Sequence, residues 1–316
     1  MPVRAAVVGT GVMGRRMLAE MGGHDDLEVT CAWDDSPAVR AATLTTYPEL
    51  EFEEDIFAQS VDLFYIATPP ATHVPLARKA TGAVFCEKPL AIDLAEAREL
   101  VDEIEIPNAV NFPFATQSAI TTLEEALEEG RHGEAQRLDI RLFFNTWPRK
   151  WQQEAASWLA QPEQGGFIRE VFSHFAYLTD RLIGPLQITE ASVHRGPEGT
   201  ESSVRAELMA GEVPVLLTGD VGGSAPDYNE WTLYGSQNSY RLQDWNQLTV
   251  GSDDGWRSLL PDRPSDEGLK RQIDAVVQLV RGQPNPLPTF ADALRVQEVV
   301  ESILAFPPGG QHQPTG

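Results

Sequence analysis

At 316 residues the chain is longer than a single hydrophobic core usually organises, and its 42% apolar and 22% charged content is that of an ordinary globular protein, so two domains are expected. Against 24 basic residues stand 47 acidic ones, and a net charge of -23 repels phosphate backbones and anionic headgroups, which excludes nucleic acid and membrane surfaces as partners. Cys31 and Cys86 fall in apolar runs as buried thiols, no run approaches the length of a membrane span, and Met1 leads directly into a strand, so the sequence reads as cytoplasmic.

The opening run Val3 to Val8 is a buried strand, and Gly9-Thr10-Gly11-Val12-Met13-Gly14 follows it at once. That spacing serves a dinucleotide diphosphate: Gly9 for the turn, Gly11 for close approach of the backbone, Gly14 for packing of helix on strand. Met17, Leu18 and Met21 give the next segment an apolar helical stripe, whose N-terminus favours an anion. Leu27 to Trp33 reads as the second strand and ends at Asp34, placed to accept from an adenosine ribose hydroxyl and to repel a 2′-phosphate; NAD is favoured over NADP. Asp35 is the competing acid, one of the two serving only the turn or a helix start near Ser36-Pro37.

Val61 to Ala67 is a third strand closed by Thr68-Pro69-Pro70, with a helix carrying His73, Leu76 and Ala77 behind it. Ala83 to Cys86 leads into Glu87-Lys88-Pro89, Asp93 with Glu96 opens a helix, and Asn108 to Asn111 is a last strand. Strands alternating with helices predict a parallel, doubly wound sheet over residues 1–117. From 118 to 316 the pattern changes to a helix with Ile120, Leu123 and Leu127, a long strand from Gln136 to Phe144, then strands over 187–195, 202–210, 213–221, 230–235 and 240–250. This is an α+β domain with an open, mostly antiparallel sheet. Two helices, from about Ser265 to Gly282 and from Thr289 to about Leu304, precede a loose tail from Pro307.

Together, Gly9-x-Gly11-x-x-Gly14, Ala67-Thr68-Pro69-Pro70 with His73, and Glu87-Lys88-Pro89 resemble the glucose-fructose oxidoreductase, inositol 2-dehydrogenase and rhizopine-catabolism (Gfo/Idh/MocA) family. The likeness is strongest over the first 115 or so residues and returns at Pro288 to Ala293. It implies a Rossmann domain that binds NAD(P) through Gly9 to Gly14, Asp34, Thr68, Pro69, His73 and Glu87, with Lys88 touching nicotinamide ribose and substrate. It also implies a second domain whose sheet forms a wall of the substrate pocket and a homodimer or homotetramer interface.

A further signature of that family, a Gly-Gly stretch entering a helix with an acid and a histidine four residues later, is similar to Gly165-Gly166 followed by Glu170 and His174. Glu stands where the family has Asp, Phe172 where a small residue is common, and the acid often found just after the histidine is absent. At i and i+4 the two side chains share a helical face; His174 is the natural general acid/base and Glu170 orients it or binds a hydroxyl. Two ligands without a third predict no metal. Trp147-Pro148-Arg149-Lys150-Trp151 reads either as a sugar-binding border, through Trp147, Arg149 and Lys150, or as a loop anchored by tryptophans. The expected activity is hydride transfer between NAD and a sugar, cyclitol or related polyhydroxy compound, with Lys88 and His174 handling the proton. An NAD-dependent glycoside hydrolase and a nucleotide sensor without catalysis are the alternatives.

Overall fold

A computed structural model gives the fold and describes residues 1–260 and 267–307. The chain forms two units, the first made of Met1–Thr116 with the described part of Asp266–Leu294, the second of the remainder. The first unit opens with β1 (Val3–Val8), α1 (Val12–Met21), β2 (Leu27–Trp33), α2 (Pro37–Thr46), β3 (Leu63–Ile66), α3 (His73–Ala77), β4 (Ala83–Glu87), α4 (Leu94–Glu103) and β5 (Asn108–Asn111). Its sheet has the order β2-β1-β3-β4-β5 with every neighbour parallel.

Both faces of such a sheet are covered, so β3 and β4 are buried along their whole length. Local signals fix the helix starts. Asp93 accepts from the amides of Ala95 and Glu96 at 2.7 and 3.0 Å, and Ser36, with Pro37 behind it, accepts from Val39 at 3.4 Å. Chain order reverses between β1 and β3, so the carboxyl ends of these two strands flank the crevice where open α/β sheets bind ligands.

The second unit carries α5 (Ser118–Glu128), β6 (Ala135–Phe144), α6 (Ala156–Leu159), a π-helical turn Ile168–Phe172 and α7 (Ser173–Leu182). There follow β7 (Leu186–Arg195), β8 (Glu201–Ala210), β9 (Val213–Val221), β10 (Tyr228–Gly235), β11 (Ser239–Gln243), β12 (Gln247–Ser252) and β13 (Gly255–Ser258). The sheet order is β13-β12-β11-β10-β6-β9-β8-β7, antiparallel except for the β6–β9 pair. On β8 the buried Val204, Ala206 and Leu208 alternate with the outward Arg205 and Glu207, which leaves one face open. Trp231 of β10, 0% exposed, donates to Thr179 Oγ1 of α7 at 3.0 Å and fixes that helix on the covered face. The sequence pattern missed β13, which is exposed at every residue and so has no apolar alternation to betray it.

Finally α8 (Glu267–Val280) returns to the first unit, and α9 (Phe290–Leu304) closes the described chain. Division at 117/118 assigns α8 to the second domain, whereas the helix packs on α1 and β4 and buries Ile273, Val276 and Val277 there. A helical stripe reveals that a face is covered but not which sheet covers it. The expected start at Ser265 and the tail beyond Pro307 lie outside the described residues.

Candidate nucleotide turn and acid–base helix

In the first unit the glycine turn divides into crowded and open positions. Gly9 has φ +94, and a Cβ on it would stand 2.9 Å from the Ala67 carbonyl; one on Gly14 would stand 2.0 Å from the Gly9 oxygen. Both are glycines because the protein itself fills the space. A Cβ on Gly11 would meet nothing within 4 Å. That glycine keeps room for something other than the protein. No side chain caps α1 and no acid occupies its first turn, so its amides and the positive end of its dipole are offered to an anion. The residues fit a dinucleotide diphosphate.

Asp34 ends β2 as expected and is 8% exposed. Its Oδ2 accepts from the Thr10 amide at 2.8 Å and from Thr10 Oγ1 at 3.3 Å, and its Oδ1 from the Ser36 amide at 3.0 Å. The carboxylate therefore ties the glycine turn to the start of α2; Oδ2 accepts twice, and Oδ1 keeps a second lone pair. Asp35 is exposed. Thr68 follows β3, its side chain beside Gly9 and its hydroxyl bonded to Thr72 at 2.7 Å. Pro69 is exposed and starts the turn that precedes α3.

Two residues assigned to the cofactor by their motif also brace the protein's own loops. His73 is 1% exposed, and its ring nitrogens lie 2.8 Å from the carbonyl oxygens of Pro89 and Thr68. It clamps the loop after β3 to the loop after β4. Burial pulls its pKa down, Lys88 adding to the effect while the two carbonyls oppose it. Glu87 is 7% exposed and accepts from Tyr65 Oη at 2.5 Å and Asn111 Nδ2 at 2.6 Å, while Gln272 Nε2 donates to Asn111 Oδ1. Burial, then Glu87, drives the Tyr65 phenol well above its ordinary range. This network anchors the last residue of β4, and the half-buried Lys88 is the next residue along, on a cis bond to Pro89. Tyr65, Asn111 and Gln272 were missed by sequence reasoning; polar residues inside otherwise apolar strands were the available signal for the first two.

In the second unit Glu170 and His174 occupy a π-helical turn and the α7 that continues it, not one regular α-helix. Such i→i+5 turns widen a helix locally and recur at functional sites. Arg169 holds the entry: it grips Glu301 at 2.6 and 2.7 Å and donates to the carbonyls of Pro162 and Gly165 at 2.7 and 3.1 Å. Gly166, φ +93, lets the carboxyl of buried Glu201 lie against the turn, where a Cβ would come within 2.1 Å of Oε2. Among the described residues neither Glu201 oxygen has a hydrogen-bond partner, and Arg195 is 3.9 Å away.

Glu170 Oε1 accepts from Gln152 Nε2 at 3.1 Å, and Gln152 Oε1 accepts from Arg149 Nε at 2.9 Å. His174, 8% exposed, meets Trp245 edge to face at 5.4 Å between centroids. Trp245 and Asp244 form a tight turn at φ 74 and 47, conformations that cost a side chain energy. Asn229 sustains the turn, its carbonyl accepting from Asp244 and its Oδ1 from Trp245, both at 3.1 Å. Neither Gln152 nor Trp245 was singled out in advance. Trp147 matches the anchoring alternative: its Nε1 donates to Leu159 O at 3.2 Å and its ring packs on Phe144 and Phe167. Arg149 is half-buried, whereas Lys150 and Trp151 are exposed. Among the described residues no three metal-ligating side chains cluster, and no helix is long and apolar enough to cross a membrane.

Residues 3–110 match the model of an oxidoreductase family with an NAD-binding Rossmann fold, GFO_IDH_MocA. The inositol 2-dehydrogenase of Rhizobium meliloti is 28% identical over 44% of this chain and 45% of its own. The 2,7-anhydro-N-acetylneuraminate hydratase of Escherichia coli is 26% identical over 62% and 55%. The matching stretch thus spans about half the length of these curated relatives. A levoglucosan dehydrogenase solved with NADH and levoglucosan superposes with a TM-score of 0.83 over 96% of both chains at 17% identity, a likeness of fold.

Proposed function

We propose that the chain, whose residues 3–110 match the Gfo/Idh/MocA oxidoreductase family, is an NAD-dependent dehydrogenase or reductase acting on a sugar, cyclitol or related hydroxy or keto compound. The observation that carries this reading is the open space at Gly11, between two glycines that the protein crowds, at an uncapped helix N-terminus. Gly11 and the α1 amides would hold the diphosphate, and the spare lone pair of Asp34 Oδ1 would take an adenosine ribose hydroxyl. When bound, NAD supplies a hydride acceptor at nicotinamide C4.

The chain's own residues would then manage the substrate proton. In this reading Lys88 polarises the reacting oxygen and His174 takes or returns its proton, two roles that can be exchanged, while Glu170 orients the imidazole or a substrate hydroxyl. The Tyr65–Glu87–Asn111–Gln272 network supports it by fixing the backbone next to Lys88. Replacing Lys88 by Met should reduce turnover of a polyol by about 10³-fold or more with NAD still bound, as read by NADH absorbance and by titration. Near-normal turnover in that variant would remove the assignment.

A second reading keeps NAD but returns the hydride to the same molecule, with no net redox change. The relative named as a hydratase favours it. Product formation from a glycoside or anhydrosugar without accumulation of NADH selects this reading; stoichiometric NADH selects the first.

A further inference from the structure

Arg149 is held differently from the ion-paired arginines of this acidic chain. Its guanidinium lies 4.7 Å over the ring of Trp151, 5.7 Å over Phe144 and 5.8 Å over Trp147, an aromatic cage on three sides. Gln152, 5% exposed, fixes it from behind, its Oε1 accepting from Arg149 Nε at 2.9 Å and from the Arg149 amide at 3.3 Å. Among the described residues nothing accepts from either Nη, and no carboxylate lies within ion-pair distance. Arg169, Arg181, Arg241 and Arg295, by contrast, each pair with a carboxylate at 3.3 Å or less.

A chain with 47 acids and 24 bases that leaves a partly desolvated cation on a neutral amide forgoes an available pairing. Burial pulls the Arg149 pKa down, and Glu170 and Asp227, acting through space, only partly offset this. The fork of two Nη groups suits a carboxylate, which it binds in parallel hydrogen bonds. A singly charged anion also suits the surroundings better than a doubly charged one, given Glu170 and Asp227 nearby. Trp151, 65% exposed, adds an aromatic face of the sort on which a sugar ring stacks. Finally, Gln152 bonds Arg149 on one side and Glu170 on the other, at 2.9 and 3.1 Å. Whatever Arg149 grips is registered on the Glu170–His174 helix.

We propose that Arg149 is the specificity residue of this unit, that it binds the carboxylate of an acidic sugar of the uronate or aldonate class, and that Gln152 is the positioning residue transmitting that contact to Glu170. The proposal rests on the reading of the Glu170–His174 helix as the substrate side of the reaction.

The test is calorimetric titration of the NAD-loaded protein with matched pairs, D-glucuronate against D-glucose and D-galacturonate against D-galactose, with D-glucose 6-phosphate as a third arm. At least one acid should bind about tenfold or more tighter than its neutral partner, the scale of charge-assisted hydrogen bonds to a half-buried cation. Arg149→Met should bring that ratio to within about threefold of unity, and Arg149→Lys, which keeps the charge without the fork, should leave it intermediate. Gln152→Leu should lower kcat on the acid more than it raises KM. Equal binding of acid and neutral sugar, tighter binding of the phosphate, or a ratio unchanged in Arg149→Met would each overturn the proposal. Titration needs no turnover, so the two readings fail separately. Acid binding with no NADH formed keeps the anion site and removes net dehydrogenation; NADH formed from neutral sugars with no acid preference does the reverse.

Discussion

Around the glycine turn of the first unit, Asp34, His73 and Glu87 all aim their polar atoms at the protein itself, at backbone amides, backbone carbonyls and buried side chains. In the second unit Arg149 and Glu170 share a single glutamine, and His174 leans on a tryptophan held in an uncommon turn. A cofactor shared by many enzymes can be met by main-chain dipoles, provided that side chains hold the loops rigid. A substrate particular to one enzyme has to be met by side chains, and these hang on the less regular elements. The contrast predicts different failures in the two units.

The largest expected effect tests whether the first unit binds through backbone and empty space. Gly14→Ala puts a Cβ 2.0 Å from the Gly9 oxygen and should destabilise the first unit by about 3 kcal/mol or more, while Gly11→Ala meets nothing. The Gly11 variant should melt within about 2 °C of the parent yet bind NAD about tenfold or more weakly. Thermal denaturation and NAD titration read the two outcomes, and normal NAD affinity in Gly11→Ala would break the comparison on the cofactor side.

A smaller effect sharpens the role of Asp34. If its charge repels a 2′-phosphate, the parent binds NAD several-fold tighter than NADP, roughly 1 kcal/mol, and Asp34→Ser narrows the gap. Because Asp34 also receives the Thr10 and Ser36 amides, the serine variant should lose about 1–2 kcal/mol of stability as well. Asp34→Asn, which keeps an acceptor oxygen but not the charge, should narrow the gap with less loss. Equal affinities for the two nucleotides in the parent would count against the electrostatic argument.

The same contrast explains what could be read from residues alone. Gly9, Gly11 and Gly14 announce themselves by their spacing, Gly9 and Gly14 because the protein leaves no room for a Cβ and Gly11 because a diphosphate needs the space, and the strands and helices of the first unit follow from period and caps. His73 and Glu87 carried the right chemistry, but which way they face is set by Thr68, Pro89, Tyr65 and Asn111, partners the chain brings up only on folding. The π-helical turn was illegible for a related reason: residue types indicate an apolar stripe, not whether amides reach back four or five residues. Gln152 and Trp245 lie 18 and 71 positions from Glu170 and His174 in the sequence, and nothing local marks either as their neighbour.

The smallest effect concerns Glu201, the buried acid behind the Gly166 turn. Burial holds its carboxyl above the usual glutamate range, with the nearby main-chain amides of Glu201 and Ile168 and the charges of Arg169 and Arg195 opposing this only in part. An acid of that kind retains its proton in the folded chain at pH values where the unfolded chain has lost it. The stability it contributes is therefore complete below the ordinary glutamate pKa and is lost as pH rises through the raised one. Glu201→Gln, neutral throughout, should remove this slope. Relative to the variant, the parent should lose stability, read as a falling Tm, as pH rises above the ordinary glutamate range. Because the glutamine leaves the Arg149–Gln152–Glu170 chain untouched, any preference for an acidic sugar should survive it. Parallel Tm profiles for parent and variant would show that Glu201 ionises normally beneath the helix, and would move the pH sensitivity of the second unit elsewhere.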